Sequence, residues 1–265
     1  IQESQFTTLG QNITAIEVNG TFDDCQALVK TAFLDTELNK KMNLTSANSI
    51  NVARFLPQTF YYFHAYAQLK RQGKADNVVF AVPSGNFGNI TAGLIAKRMG
   101  LPVKRFIAAN NRNDIFLQYL NTGVYTPRPS VQTIANAMDV GDPSNFARVL
   151  DLYGGSHESI TSDISGFSYT DEQIAETLKL AYDKTGYLLD PHGACAYQSL
   201  LDSLDDDEIG VFLETAHPAK FIETVECIIS TSVEIPEKLK LFMSGAKNTT
   251  LIDKSYDSFV GVLNC

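Results

Sequence analysis

Residues 78–99 constrain the fold more than any other part of the sequence, because they read VVFAVPSGNFGNITAGLIAKRM. The run VVFAV is short, continuous and apolar, as expected for a parallel strand that helices cover on both faces. The polar loop SGNFGN follows, and a helical pattern begins at about Ile90. We therefore predict a strand, a glycine-containing loop and a helix in direct succession.

This loop has the features of an anion-binding site. Gly85 and Gly88 allow a positive φ and a close approach of the backbone. The following helix directs its first N–H groups and the positive end of its dipole at the loop, where a phosphate would be stabilised. The glycine spacing matches neither GxGxxG nor GxxxxGK[ST], which argues against a dinucleotide and a P-loop nucleotide. A tight turn without a ligand is the alternative interpretation.

Composition excludes several classes of partner. The chain has 265 residues, 44% of them hydrophobic, so it can form a large core without metals or disulfides. A net charge of -9 argues against nucleic acid and anionic membranes as partners. No apolar run reaches the roughly 18 residues of a membrane span, and no signal-peptide pattern opens the chain. We therefore expect a cytoplasmic protein.

The cysteines predict neither a zinc site nor a disulfide framework. They lie far apart in the sequence and form no CxxC pair. We expect reduced thiols and no metal. The four residues are Cys25, Cys195, Cys227 and Cys265.

Predicted strands and helices alternate along the chain, which is typical of an α/β fold with an open, mostly parallel sheet and helices on both faces. Ligands bind such sheets at the carboxyl ends of the strands, where the predicted loops 84–89 and 215–218 lie. Residues 110–155 are irregular, which is often a sign of function. The predicted strands are 13–18, 78–82, 102–109 and 210–213, and the predicted helices are 22–34 after Thr21, 52–71, 90–99, 170–184 with a capping box from Thr170 to Gln173, and 219–230.

Four segments resemble the threonine synthase family. This family has the fold-type II architecture of pyridoxal-phosphate (PLP) enzymes, and the resemblance implies the conversion of O-phospho-L-homoserine and water to L-threonine and phosphate, with PLP as cofactor. Other fold-type II enzymes share the general plan but not these segments. The segments are SANSIN at 46–51, PSGNFGNITAGLIAKRMGLPVKRFIAA at 83–109, NAMDVGDPSNFAR at 136–148 and TAHPAKF at 215–221.

The resemblance also implies roles for single residues. Thr215 would lie beside the pyridine nitrogen of the cofactor. Arg54 is the candidate for the substrate phosphate, because a guanidinium group offers a bidentate fork, and a salt bridge in the first helical turn is its alternative role. The implied residues of the cofactor phosphate loop are Gly85, Asn86, Phe87, Gly88 and Asn89, and those near the substrate are Ser46, Asn48, Ser49, Asn51 and Arg54.

Two family motifs are absent from this sequence. The Phe-Lys-Asp motif that supplies the Schiff-base lysine and a Ser-Gly-Asp-Thr-Gly loop would both precede Ile1, so the chain resembles the C-terminal part of the enzyme. Lys97 and Lys220 match family lysines without that role. We therefore predict that the catalytic lysine is not in this chain and that the chain alone is inactive. His192 and His217 are expected to form hydrogen bonds with loop backbone.

The predicted domain organisation has three parts: residues 1–44 as the remainder of a smaller α/β domain, 45–232 as the main cofactor-binding domain and 233–265 as a C-terminal segment. Two other functions stay open. One is another PLP-dependent fold-type II lyase, of the threonine dehydratase or cysteine synthase type, although those loops are expected to hold more consecutive glycines. The other is a non-catalytic module that binds a phosphorylated metabolite. The partner predicted in each case is a small molecule, and the oligomeric state is not predicted.

Overall fold

The computed structural model describes residues 2–8 and 12–263, and its internal contacts divide the chain into two units. The larger unit is Ser46–His217, and the smaller unit combines Ile1–Thr45 with Pro218–Cys265. The first division falls one residue from the predicted boundary after residue 44. Residues 218–232, which we had assigned to the cofactor-binding part, group here with both ends of the chain.

Strands and helices alternate along the described residues. The strands are β1 Ile16–Val18, β2 Val78–Pro83, β3 Arg105–Asn110, β4 Ile164–Ser168, β5 Ile209–Phe212 and β6 Thr250–Ile252. The α-helices are α1 Gln2–Thr7, α2 Phe22–Leu34, α3 Thr36–Lys41, α4 Val52–Phe55, α5 Thr59–Arg71, α6 Gly88–Arg98, α7 Ile115–Thr122, α8 Phe146–Leu152, α9 His157–Asp163, α10 Asp171–Thr185, α11 Pro191–Ser203, α12 Ile222–Ile229, α13 Glu237–Met243 and α14 Tyr256–Leu263. Short 3-10 turns occur at Leu56–Gln58, Asn136–Met138 and Pro218–Phe221.

The larger unit is built on a parallel sheet with the strand order β4-β3-β2-β5. Every residue of β2 is buried, which agrees with the apolar run in the sequence. Val78, Phe80 and Val82 belong to a core cluster that includes residues of α5 and α6. The opposite face is covered by α11, which packs against β2, β3 and β5. Helices therefore lie on both faces, as predicted.

Aromatic packing connects this core to the glycine loop. The ring of Tyr62 on α5 lies 5.0 Å from that of Phe80 on β2, measured between centroids, in an edge-to-face arrangement. The Tyr62 hydroxyl donates a 2.7 Å hydrogen bond to the carbonyl oxygen of Asn89 in the first turn of α6. The start of α6 is therefore anchored to a rigid part of the core.

The prediction of one long helix over 52–71 is wrong in one respect. It is divided into α4 and α5 by the 3-10 turn Leu56–Gln58, which contains Pro57. Proline has no N–H to donate and its ring clashes with the preceding turn, so a continuous helix is broken there. The irregular region predicted at 110–155 contains α7 and α8, and β4 was not predicted.

The smaller unit contains a parallel pair of strands, β1 and β6, in which Glu17 pairs with Leu251. The predicted helix after Thr21 is confirmed as α2, and Thr21 and Asp24 form a capping box. The strand predicted over 13–18 is shorter, since only Ile16–Val18 pairs. Cys265 lies outside the described residues. No helix in the described ranges is long and apolar enough to cross a membrane.

Candidate active site

A cavity of about 660 Å³ opens at the carboxyl ends of β2 and β5 in the larger unit. One wall is the glycine loop, and a second contains Glu214 and Thr215 after β5. Ala137, Met138 and His192 contribute further surface. The remaining side comes from the segment around α4 and α5, with Ser49, Arg54, Gln58, Tyr61 and His64. Residues 85–89 of the first predicted loop and Thr215 of the second thus line one cavity.

The loop presents backbone N–H groups that the described protein leaves without partners. The N–H of Ser84 donates to Ala109, and that of Thr91 donates to Phe87. Between them, the Ile90 N–H donates to the side chain of Asn89. The N–H groups of the other five positions form no hydrogen bond to any described residue: Gly85, Asn86, Phe87, Gly88 and Asn89. These donors lie at the start of an 11-residue helix, where an anion is stabilised.

The glycines act by close approach, which corrects part of the prediction. Neither Gly85 nor Gly88 has a positive φ, whereas Phe87, which caps α6, has φ 63°. A Cβ on Gly85 would lie 2.7 Å from the Cα of Met138. A Cβ on Gly88 would lie 2.6 Å from the Cβ of Ser49. Glycine is needed because neighbouring chain segments occupy the space.

The side chains of Asn86 and Asn89 hold the loop in place. Asn86 Oδ1 accepts hydrogen bonds from the N–H and the hydroxyl of Ser144, at 2.7 and 2.8 Å. Asn86 Nδ2 donates to Ser49 Oγ at 3.0 Å. Asn89 Nδ2 donates to the carbonyl oxygen of Pro83 at 2.8 Å. These amides are thus engaged within the protein, and the loop offers a ligand its backbone.

Of the five residues predicted near the substrate, Ser49 and Arg54 line the cavity. The other three stabilise the segment itself. Ser46 Oγ donates to Asn48 Oδ1 at 2.7 Å, and Asn51 caps α4 by accepting from the N–H of Ala53. Ser46, Asn48 and Asn51 do not line the cavity.

Arg54 is oriented by a 2.9 Å hydrogen bond from its Nε to the carbonyl oxygen of Ala47. It forms no ion pair with any described residue, so the alternative role in a salt bridge receives no support. Its terminal nitrogens carry the donors suited to an oxyanion.

At the second wall, the half-buried Glu214 forms a carboxyl pair with the fully buried Asp190. Burial and the neighbouring Asp190 carboxyl raise the pKa of Glu214 to about 9. Burial acts to raise the pKa of Asp190 as well, but hydrogen bonds from His192 and Glu214 hold it below its usual value. Glu214 is therefore neutral at pH 7 and Asp190 is charged, as expected for two carboxyls that share a proton. The Oε1 atom of Glu214 is buried and has no hydrogen-bond partner among the described residues.

Asp190 also fixes the tautomer of His192. The Nδ1–H of His192 donates to Asp190 Oδ1 at 2.6 Å, and Nε2 accepts from the N–H of Ala137 at 3.2 Å. This agrees with the expectation that His192 binds loop backbone, because its acceptor nitrogen is occupied. Thr215, in contrast, is exposed, and its hydroxyl forms no hydrogen bond to the described protein.

No lysine lines the cavity, as judged over the part of the chain that the structure describes. Lys97 lies on α6, where its Nζ donates to Asp163 at 2.8 Å and to the carbonyl oxygen of Lys104 at 3.1 Å. Lys220 belongs to the smaller unit. Neither was expected to carry the cofactor.

Sequence reasoning missed the residues that shape the irregular region. Asp139 accepts hydrogen bonds from the side chains of Asn111 at 2.8 Å, Asn113 at 3.1 Å and Thr133 at 2.7 Å. This network, whose Asn111, Asn113 and Thr133 are buried, holds the turn that brings Ala137 and its neighbour Met138 to Gly85. The dense Asn and Asp content was the available signal, but it did not identify the partners.

Comparison with known proteins defines the class. Residues 2–213 match the family model described as "Pyridoxal-phosphate dependent enzyme". The chain therefore belongs to the family of pyridoxal-phosphate-dependent enzymes. Residues 192–260 also match the model described as "Threonine synthase, C-terminal".

Relatives within that family are threonine synthases. The protein from Haemophilus influenzae is 52% identical over 239 residues, which cover 90% of this chain and 56% of the relative. The crystal structure of threonine synthase from Escherichia coli matches with a TM-score of 0.94 and 42% identity, covering 99% of this chain and 61% of that one. The structure of PLP-bound threonine synthase from Brucella melitensis has a TM-score of 0.83 and 34% identity, with the same coverage of both chains. The predicted family and fold class are confirmed, and the chain spans about three fifths of the length of these relatives.

Proposed function

We propose that this chain forms the phosphate-binding side of the cofactor site in a PLP-dependent enzyme that converts O-phospho-L-homoserine and water to L-threonine and phosphate. The observation that carries the proposal is the set of five N–H groups without partners at the start of α6. The similarity of the chain to threonine synthases in sequence and structure supports the choice of ligand. The matched relatives are longer, so the reaction is proposed for the complete enzyme.

The residues present fit PLP. The N–H groups from Gly85 to Asn89 would bind the cofactor phosphate, and the Thr215 hydroxyl would donate to the pyridine nitrogen. When bound, PLP supplies an electron sink for the bonds around the substrate α-carbon. A neutral hydroxyl leaves the ring nitrogen unprotonated, whereas a carboxylate would favour its protonated form.

Arg54 is the proposed ligand of the substrate phosphate. Its Nε is held by Ala47, so the guanidinium plane is oriented and fewer rotamers are lost on binding. Ser49 lines the same cavity and is fixed by hydrogen bonds from Asn86 and Asn145 at 3.0 and 3.1 Å. This side of the cavity therefore combines a charged donor, Arg54, with a rigid polar residue, Ser49.

We further propose that the chain alone forms no threonine, since no lysine lines the cavity among the described residues. The same observation favours the second candidate, a non-catalytic module for a phosphorylated metabolite. Another fold-type II lyase is less well supported, because the relatives named above are threonine synthases. A cytoplasmic location stays a prediction from the sequence.

The test is a titration of the chain with PLP, followed by absorbance, in native protein and in Gly85→Val. We expect binding in the millimolar range, about -4 kcal/mol, and its loss in the variant, because a branched side chain would collide with Met138. Undiminished PLP binding by Gly85→Val would show that this loop does not bind the cofactor.

Borohydride treatment with PLP and mass spectrometry then tests the lysine. We expect no stoichiometric label on any single lysine. Full labelling of one lysine together with threonine formation would show that the chain is sufficient for the reaction. Activity that appears only when the remainder of a threonine synthase is supplied would favour the enzyme over the binding module.

A further inference from the structure

Asp190 is completely buried at the start of α11, and its two carboxylate oxygens have different partners. Oδ1 accepts from the N–H of His192 at 2.7 Å, from the N–H of Gly193 at 3.3 Å and from His192 Nδ1 at 2.6 Å. Oδ2 accepts from the N–H of Ala216 at 3.2 Å. Capping α11 requires only the first set of bonds, so the second needs another explanation.

On the Oδ1 side, Asp190 is connected to the segment that packs against the phosphate loop. His192 connects Asp190 to Ala137, because its Nε2 accepts a hydrogen bond from the N–H of Ala137 at 3.2 Å. The carbonyl oxygen of Ala137 lies 3.1 Å from the position that a Cβ on Gly85 would occupy, and the Cα of Met138 lies 2.7 Å from it. The location of Ala137 therefore limits where the loop N–H groups can be.

The Oδ2 side reaches the wall that contains Thr215. Ala216 directly follows Thr215, so the hydrogen bond from the Ala216 N–H to Oδ2 restrains the chain shortly after β5. Glu214 adds to this restraint, since its Oε2 lies 3.4 Å from the N–H of Asp190. The two walls are separated in sequence, and Asp190 contacts the Thr215 wall directly and is connected to Ala137 through His192.

We propose that Asp190 is a positioning residue that sets the distance between the phosphate-binding wall and the Thr215 wall, through the His192–Ala137 bond on one side and the Ala216 bond on the other. The proposal rests on the proposed function for the identity of the ligand, a phosphate attached to a ring that must reach both walls. Neither Asp190 nor His192 acts here as an acid or base.

Two conservative variants separate the two connections. In Asp190→Asn, the amide oxygen stays on the side with three donors, and the amide nitrogen replaces Oδ2 and faces the N–H of Ala216. In His192→Asn, the side-chain amide keeps a donor near the position of Nδ1 and removes the acceptor for Ala137. The control is Glu208→Gln, a buried carboxyl at the opposite end of the sheet.

The first measurement is hydrogen exchange at the amides of Ala137 and Ala216 in the native chain and the three variants. We expect Asp190→Asn to accelerate exchange at Ala216 by about tenfold, the effect of losing about 1.4 kcal/mol, and to leave Ala137 within about twofold. His192→Asn should show the reverse. Equal acceleration of both amides in each variant, or no change in either, would overturn the proposal.

The second measurement compares inorganic phosphate with PLP. His192→Asn should weaken both ligands by a similar factor, because it releases the phosphate wall. Asp190→Asn should weaken PLP by about tenfold and phosphate by less than about twofold, because only the ring meets the Thr215 wall. Glu208→Gln should change neither affinity. Equal losses for both ligands in Asp190→Asn would show a structural cap and no positioning role.

These measurements distinguish the two proposals. Native chain that binds neither phosphate nor PLP would contradict the proposed function, whereas the exchange rates would still decide whether Asp190 connects the two walls. If His192→Asn does not fold, His192→Phe repeats the exchange test, since it fills the ring volume and also removes the acceptor for Ala137.

Discussion

Two glutamates flank β5, and their environments are opposite. Glu208 directly precedes the strand, and both of its oxygens accept hydrogen bonds from Arg105, at 2.9 and 2.7 Å. Lys104 lies 3.1 Å from it. The hydrogen bonds from Arg105 in particular lower the pKa of Glu208 to about 2. Glu214 lies beyond the other end, where no cation of the described residues pairs with it, and burial raises its pKa to about 9.

The difference shows which end of the sheet is built for stability. At the amino end, the buried charge is neutralised and its hydrogen bonds are satisfied. At the carboxyl end, five N–H groups and one carboxyl oxygen lack partners among the described residues. Leaving polar groups unsatisfied costs stability, so they persist where a ligand would use them.

The largest expected effect is at the amino end. Glu208→Ala should lower the free energy of unfolding by about 3 to 5 kcal/mol, because it leaves the partly buried Arg105 without its closest carboxylate. Chemical denaturation measures this loss, and Lys104→Ala is the matched control, since removing the exposed Lys104 side chain should cost far less stability. A loss below that of the control would mean that this end is not the stable one.

A second variant pair compares glycines at the two ends. Gly85→Ala places a Cβ 2.7 Å from the Cα of Met138, which is backbone and cannot move alone. We expect phosphate affinity to fall by about 30-fold, or about 2 kcal/mol, measured by titration calorimetry. In Gly210→Ala the Cβ meets the flexible end of Leu200 at 3.0 Å, so affinity should be unchanged. Equal losses of phosphate affinity in the two variants would contradict the expected difference between the two ends of the sheet.

The proton on Glu214 predicts a pH dependence of stability. A folded-state pKa raised above the unfolded value gives a contribution that is complete below about pH 4.5 and is lost as the pH rises through about 9. The Glu214→Gln side chain resembles the protonated form of Glu214, so the variant should keep this contribution to stability as the pH rises. Between pH 6 and pH 8, the variant should gain about 1 to 2 kcal/mol relative to native protein, within the limit of about 1.4 kcal/mol per pH unit.

Urea denaturation at both pH values measures this difference. Parallel pH profiles for the two proteins would show that Glu214 is ionised in the native state. Asp202→Asn on α11 is the control, because the exposed Asp202 lies away from the carboxyl pair and should follow the native profile.

The smallest effect on stability is expected from Thr215→Val. Thr215 is exposed and forms no hydrogen bond to the described protein, so the free energy of unfolding should change by less than about 0.5 kcal/mol. The absorbance spectrum of bound PLP should nevertheless shift, because the ring nitrogen would lose its donor. An unchanged spectrum would place Thr215 away from the ring nitrogen.

Elements whose limits are set by residues close in the sequence could be predicted accurately. Helix α2 has the predicted bounds, and α10 differs from its prediction by one residue at each end, because capping boxes after Thr21 and Thr170 determine where each begins. β2 was recognised from its apolar run, and the loop between it and α6 stays a predicted anion site. These features arise from backbone geometry and hydrophobic periodicity within a few residues.

The arrangement of the site depends on contacts between distant segments, which no local pattern contains. Glycine is required at position 85 because Met138 approaches it, and Phe87 adopts the positive φ that we had expected of glycine. Asp190 and Glu214 share a proton because folding brings two separate carboxyls together in a buried environment. Short-range pattern thus predicted where an anion could bind, whereas packing over long sequence separations created the charge states and the spacing of the walls around it.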